Sequence, residues 1–255
     1  VDLLLGEKTV LVTGAGRGLG RAIGMAFAGE GANVAFHYNS SAAGAEEAVK
    51  EAAALGVRAT AVGADLCERS SVLAAVDEVK AQLGPIDILV NNAAATQSKP
   101  FLETTEEDWG PQIDVTVAGT LRVTHAVAKQ MSENGGGGAI VNLMGDSGRV
   151  GESRLLVTAT TRATTTGLTK SLAKELARHQ IRANAVSIAL VRTGSLDEHT
   201  GNADEEKMKK ILSAYPLRRF GRPEDITPTI LLLASPLSSW TTGQVVSVNG
   251  GYAMP

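Results

Sequence analysis

The sequence predicts an α/β fold in which a doubly wound, seven-stranded parallel sheet carries helices on both faces. Three observations predict it: seven short apolar runs, amphipathic stretches of helical length between them, and glycine or proline punctuation at the joints. Parallel strands buried on both faces read as near-continuous Val, Ile, Leu and Ala rather than as alternation, and the seven runs read that way.

The strands are expected at residues 9–12, 33–36, 59–62, 86–90, 139–143, 182–186 and 244–248. A helix over 21–30 follows the first. Ser70 and Ser71 head a helix over 72–83, and Thr104 and Thr105 with Glu106 and Glu107 open another. Hydroxyls satisfy the orphan N–H groups of a first turn, and carboxylates favour its positive end. Pro223-Glu224-Asp225 opens a late helix, the proline standing where no N–H is needed. Gly84-Pro85 punctuates the approach to the fourth strand, and glycines 135–138 form a flexible turn before the fifth. Residues 194–215, the longest polar stretch, are expected as a substrate-loop insertion beyond the carboxyl end of the sixth strand. With no repeat and no linker, 1–255 is expected to form one domain.

Of the 255 residues, 44% are hydrophobic and 20% charged, enough to bury one large core. A formal net charge of −3 gives no basic footprint for nucleic acid and points to small-molecule or protein partners. Cys67 is the single cysteine, which excludes a disulfide framework and a thiolate-rich metal site. His37, His125, His179 and His199 show no ligand spacing, and His125 reads as a helix-packing residue. No apolar run reaches the ~18 residues of a bilayer span, and no secretory signal is visible, so a cytoplasmic protein without membrane contact is expected.

The segment Thr13-Gly14-Ala15-Gly16-Arg17-Gly18-Leu19-Gly20 joins the first strand to the first helix. Gly14, Gly18 and Gly20 lack side chains where a backbone must approach a pyrophosphate at a helix N-terminus. Glycines alone mark any tight turn; the strand before and the helix after give these their meaning. Asp65 and Leu66 end the third strand, where a carboxylate meets an adenine amino group or is a plain surface residue.

With Asn91-Asn92-Ala93 and the ending Gly243-Gln244 to Val248-Asn249-Gly250-Gly251, these motifs resemble the short-chain dehydrogenase/reductase family over about residues 8–251. The resemblance implies a Rossmann-like fold and a dinucleotide held by Gly14, Arg17, Gly18, Leu19, Gly20, Asn39, Ser40, Asp65, Leu66, Asn92, Ala93, Arg162 and Thr193. The second strand ends in His37-Tyr38-Asn39-Ser40-Ser41, with no carboxylate for a ribose 2′-hydroxyl. Arg17 can pair with a 2′-phosphate, so NADP(H) is favoured over NAD(H) if a cofactor is bound; otherwise Arg17 is a solvated loop residue.

The second half departs from the family. Members use a tyrosine to exchange a proton with the substrate oxygen, a lysine four residues later to lower its pKa, a serine to orient the carbonyl and an asparagine to anchor a water relay. The register follows from Ile140-Val141-Asn142, from Gly148 and Gly151, and from Gly167-Leu168-Thr169-Lys170. It puts Gly145 at the serine, Thr158 at the tyrosine and Arg162 at the lysine; Trp109 puts Thr116 at the asparagine. No tyrosine lies between Tyr38 and Tyr215. The family's Asn-Asn-Ala-Gly reads Asn91-Asn92-Ala93-Ala94, and its Pro-Gly reads Ile188-Ala189. An aliphatic hydroxyl does not titrate near neutrality, and a planar, permanently charged guanidinium suits a carboxylate or ribose better than it replaces a compact ammonium.

The expectation is a non-catalytic structural or regulatory subunit of a heteromeric NAD(P)-dependent dehydrogenase or ketoreductase. The alternative is an active NADP(H)-dependent oxidoreductase of the 3-oxoacyl or ketone reductase kind, or a lyase, with a non-standard proton donor such as Asp146; Ser147, Arg149, Glu152 and Arg154 lie close by in sequence. A nucleotide-sensing module is a third reading. By the resemblance, the helices around 121–131 and 160–178 pair across a two-fold axis, with a homologous active subunit or a second copy as partner. A small carbonyl compound or acyl thioester is the candidate substrate. Phe101, Leu102, Leu155, Leu156, Val191 and Leu196 are candidates to surround an apolar ligand, or else cover the core.

Overall fold

The computed structural model describes residues 1–193 and 205–254. Seven parallel strands form one sheet in the order β3-β2-β1-β4-β5-β6-β7. They are β1 (Thr9–Val12), β2 (Asn33–Tyr38), β3 (Ala59–Gly63), β4 (Ile88–Asn91), β5 (Gly138–Gly145), β6 (Ile181–Ile188) and β7 (Val245–Val248). β1 pairs with β2 on one side and β4 on the other. The chain therefore reverses its direction of winding there, and a crevice opens beyond the carboxyl ends of these two strands.

Successive strand residues face opposite sides of the sheet. Val10, Val12, Val34, Phe36, Ile88 and Val90 point into one core, where they meet Ile23 and Phe27 of α1 (Gly18–Gly29), Ala45 and Ala48 of α2 (Ala42–Ala54) and Ile230 of the late helix Pro223–Ala234. Leu11, Ala35 and Leu89 point into the other, against Val72, Val76 and Val79 of α3 (Arg69–Leu83) and Val123, Val127 and Met131 of α5 (Thr120–Asn134). The two faces are thus both filled, as the unalternating runs require.

Differences from the expected elements lie at the ends. β4 begins at Ile88 rather than 86, because the Asp87 carboxylate is turned to accept a hydrogen bond from Thr9 N (2.9 Å) and an ion pair from Lys8 (3.3 Å). β5 and β6 run further than their apolar cores, their ladder continuing to Gly145 opposite Ile188. The helix expected over 160–178 is α7 (Leu156–Glu175), preceded by the short α6 (Ser147–Val150). α4 (Glu106–Ile113) opens with Thr105 and Asp108 bonding each other's backbone N–H, and a wide π turn over Asp114–Gly119 joins it to α5. Within the stretch expected as a substrate loop, α8 covers Glu205–Ser213, and α9 is the late helix Pro223–Ala234. Residues 194–204, with Leu196 and His199, lie outside the described residues. Among the described residues no helix is long and apolar enough to cross a membrane, and no cluster of His, Cys, Asp or Glu could hold a metal ion.

Candidate active site

A cleft of about 550 Å³ opens at the winding reversal. All thirteen residues assigned to a dinucleotide line it: Gly14, Arg17, Gly18, Leu19, Gly20, Asn39, Ser40, Asp65, Leu66, Asn92, Ala93, Arg162 and Thr193. Its floor is built by backbone contact. A Cβ on Gly20 would run into the carbonyl oxygen of Gly14 and the amide of Asn92, so only glycine lets α1 start this close to the turn. No acidic residue occupies the first turn of α1 and no side chain caps it, which leaves its N–H groups free for an anion. Across the cleft Thr193 stands 3.8 Å from where a Gly18 Cβ would be. The residues fit a dinucleotide.

Two polar devices hold the turn in shape. Thr13 Oγ1 accepts from Asn92 N and Ala93 N, both at 3.0 Å, while the Asn92 amide donates to Thr13 O (2.9 Å) and Gly14 O (3.2 Å). Asn92 therefore serves the turn that would hold the nucleotide. His37 does the same from the β2 side: Gly14 N donates to its Nδ1 (3.1 Å) and its Nε2 reaches Ala64 O (3.1 Å). An acceptor at Nδ1 and a donor at Nε2 define a neutral ring, and burial pulls its pKa below the ordinary value. The sequence reading missed this role; a histidine one strand away from the glycine turn was its only trace. Asp65 lines the cleft and stays exposed, one oxygen accepting from Cys67 N at 2.8 Å.

At the other end the four substituted positions come together, but the two threonines among them are spent on internal partners. Thr158 is buried on α7, with its hydroxyl donating to Gln112 Oε1 at 2.5 Å and accepting from Gln97 N at 3.3 Å. Thr116, in the π turn, accepts from Ala95 N (3.1 Å). Gly145 contributes no side chain at the end of β5. Only Arg162 lines the cleft. Its guanidinium makes one long hydrogen bond, NH1 to Leu143 O at 3.4 Å, and loss of hydration brings its pKa down to about 10.

Asp146, the candidate proton donor, is 2% exposed and does not line the cleft. Its two oxygens accept from Ser187 Oγ (2.5 Å) and Asn249 Nδ2 (2.6 Å), so it ties β5 to β6 and to the segment after β7. Arg149 bonds Ser247 Oγ (2.7 Å), outside the site. Glu152 has the more unusual setting. Burial and the neighbouring Asp146 charge raise its pKa, while a hydrogen bond from Tyr252 opposes the rise. Tyr252 stacks on Tyr215 at 5.1 Å, and burial beside Glu152 raises its phenol to about 12. The Tyr215 hydroxyl accepts from Leu190 N (3.2 Å), a cleft residue. The two phenols lie well beyond α7 (Leu156–Glu175) in the sequence, so no spacing along the chain could have grouped them with Glu152. Of the apolar candidates, Val191 lines the cleft, Phe101 stacks on Trp109 at 6.3 Å, and Leu102 is 96% exposed.

A doubly wound parallel sheet with a glycine turn, a free helix N-terminus and a cleft at the winding reversal is the architecture of the Rossmann-like α/β folds. A family profile described as Enoyl-(Acyl carrier protein) reductase matches residues 14–253. The 3-oxoacyl-[acyl-carrier-protein] reductase FabG of Staphylococcus aureus is 38% identical over 247 residues, covering 97% of this chain and 98% of the relative. Sorbitol dehydrogenase of Cereibacter sphaeroides is 36% identical over 261 residues, covering 98% and 99%. A short-chain type dehydrogenase/reductase from Mycobacterium marinum superposes with a TM-score of 0.92 at 32% identity, covering 100% and 98%. A Beutenbergia cavernae protein solved with NADP bound at low occupancy superposes at 0.91 and 30%, covering 99% of both chains. The chain belongs to the short-chain dehydrogenase/reductase family.

Proposed function

We propose that the chain is an NADP(H)-dependent oxidoreductase of carbonyl compounds whose proton does not come from a tyrosine. The observation that carries this is the single cleft running from the glycine turn to Arg162, complete at the nucleotide end and cationic at the other. The cofactor, when bound, supplies or accepts hydride. NADP(H) is preferred because no carboxylate stands among His37, Tyr38, Asn39, Ser40 and Ser41, while Arg17 is exposed at the cleft's rim. Arg162 stabilises the negative charge that grows on a carbonyl oxygen as hydride arrives, and the proton follows from water or from the substrate. Relatives named as a 3-oxoacyl-[acyl-carrier-protein] reductase and a sorbitol dehydrogenase, matched along nearly their whole length, support carbonyl chemistry.

A second reading is favoured by the bonding of Thr158 and Thr116: the substituents of the phenol and asparagine are spent on internal partners. In that reading the chain is an inert subunit completing an oligomer with an active homologue. The outward face of α7, with Ala163, Thr164 and Gly167 exposed, and Leu121 exposed on α5, supplies the joining surface.

One experiment separates them. The purified chain is titrated with NADPH and NADH by fluorescence and assayed alone on ketones and 3-oxoacyl thioesters. Turnover with tighter NADPH binding supports the oxidoreductase. Silence alone, with activity restored by a co-purifying homologue that carries an intact tyrosine, supports the subunit and removes the first reading.

A further inference from the structure

This inference rests on the oxidoreductase reading and names the ligand it takes. We propose that Arg162 anchors a carboxylate subsite at the reacting end of the cleft, so that the molecule seated beside the cofactor is an oxo acid rather than a neutral ketone.

A guanidinium carries five N–H donors. In Arg162 a single one is used, on Leu143 O at 3.4 Å, and no carboxylate lies within ion-pair distance among the described residues. The side chain is half-buried, and its unpaired N–H groups are not sealed in the core but open to the cleft. Asp146 does not serve: its two oxygens are held by Ser187 and Asn249. The remaining donors are available to a ligand on the cleft side, where Arg162 forms part of the lining.

The space beside it exists because of the other substitutions. A Cβ at Gly145 would sit 3.7 Å from Arg162 Cγ and 3.8 Å from its Nε, so the absent side chain leaves the flank of the guanidinium open. Thr158 has withdrawn to Gln112 and Thr116 to Ala95. The neighbouring wall is Ala94, Ala95, Val115, Ile188 and Ala189, apolar and without a competing anion. A planar fork in such a setting matches two carboxylate oxygens at once, which an ammonium cannot do.

The same fork could instead meet a phosphate of the cofactor, and the test distinguishes the two sources. Acetoacetate and its neutral isostere acetoacetamide are titrated by calorimetry into the chain saturated with NADP+. The acid is expected to bind at least about tenfold more tightly than the amide, and Arg162→Gln to abolish that preference. Equal binding of acid and amide, or a preference that survives in Arg162→Gln, overturns the proposal. Loss of NADPH affinity in Arg162→Gln without any preference for the acid in the native chain assigns the guanidinium to the cofactor and overturns it too. If Arg162→Gln does not fold, Gly145→Val fills the open flank instead and is expected to weaken acetoacetate by about tenfold while sparing NADPH; unchanged acetoacetate binding overturns the proposal. A native chain that binds no NADPH refutes the cofactor reading separately, and the acid and amide are then compared on the chain alone.

Discussion

The hydroxyl of Thr158 donates to Oε1 of Gln112 across 2.5 Å, and both residues are buried. The group that stands where a proton donor is expected is bound to the helix opposite, turned from the cleft. Its role is to join α4 to α7. Thr158→Val, nearly the same shape, leaves the Gln112 oxygen without its donor. A loss of about 1–3 kcal/mol in urea unfolding is expected, with NADPH affinity unchanged. A weakened cofactor with unchanged stability would show that the hydroxyl faces the ligand after all.

Restoring the family's groups together, Thr116→Asn, Gly145→Ser, Thr158→Tyr and Arg162→Lys, returns a phenol beside an ammonium. The Gly145 position has room, since an added Cβ meets nothing nearer than Ser147 Oγ at 3.5 Å. General acid catalysis contributes about 10²–10⁴-fold, so reduction of a neutral ketone is expected to rise by at least about a hundredfold in kcat. A variant that folds, binds NADPH and gains nothing would place the limiting step elsewhere.

Asp146 tests whether a carboxylate near the site acts in chemistry or in architecture. Asp146→Ala strands the Ser187 and Asn249 donors, and a loss of about 2–3 kcal/mol is expected in denaturant unfolding. A proton donor would instead give lost turnover at unchanged stability.

His37 gives the fold a pH dependence. Its folded pKa lies below the ordinary value, so as pH falls below about 6.5 the unfolded chain takes up a proton that the folded one refuses. Stability is therefore full above that pH and declines beneath it, until the folded ring also protonates and Gly14 N loses its acceptor. Asp108 and Asp225, both held down at about 2, lose their contributions only below pH ~4, so the two windows separate. Melting temperatures from pH 7.5 to 5 are expected to fall in the native chain and to flatten in His37→Gln. An equal slope in both would refute the assignment.

Arg182 closes the end of α9, donating to Leu233 O (2.6 Å), Ala234 O (3.1 Å) and Ser235 O (3.0 Å). Those carbonyls are the orphans of a helix C-terminus, where a cation is favoured. Arg182→Met keeps the stem and removes the charge, and about 2–3 kcal/mol of stability is expected to go with it. A melting temperature equal to that of the native chain would refute the cap.

Much of this was legible in order along the chain. Val10, Leu11 and Val12 read as a doubly covered strand because nothing polar interrupts them, and Gly14 to Gly20 read as a nucleotide turn because a strand precedes and a helix follows. Pro223-Glu224-Asp225 located α9 by chemistry confined to one turn. These signals are local: each depends on backbone bonds and burial within a few residues. Asp146 shows where such reading stops. Its place in the sequence puts it beside the reacting end, yet Asn249, more than a hundred residues away, decides that it is held from behind.

The sequence by itself determined the sheet, the glycine turn, the lining of the cleft and the absence of a phenol on α7. Only the tertiary structure decided which way the substitutes point. Thr158 turns to Gln112, Tyr215 and Tyr252 stack on each other, and of the four substituted positions only Arg162 is left with donors facing the cleft. Side-chain direction is set by which polar partners other elements bring within 3 Å, and that is a property of the packed chain rather than of any segment of it.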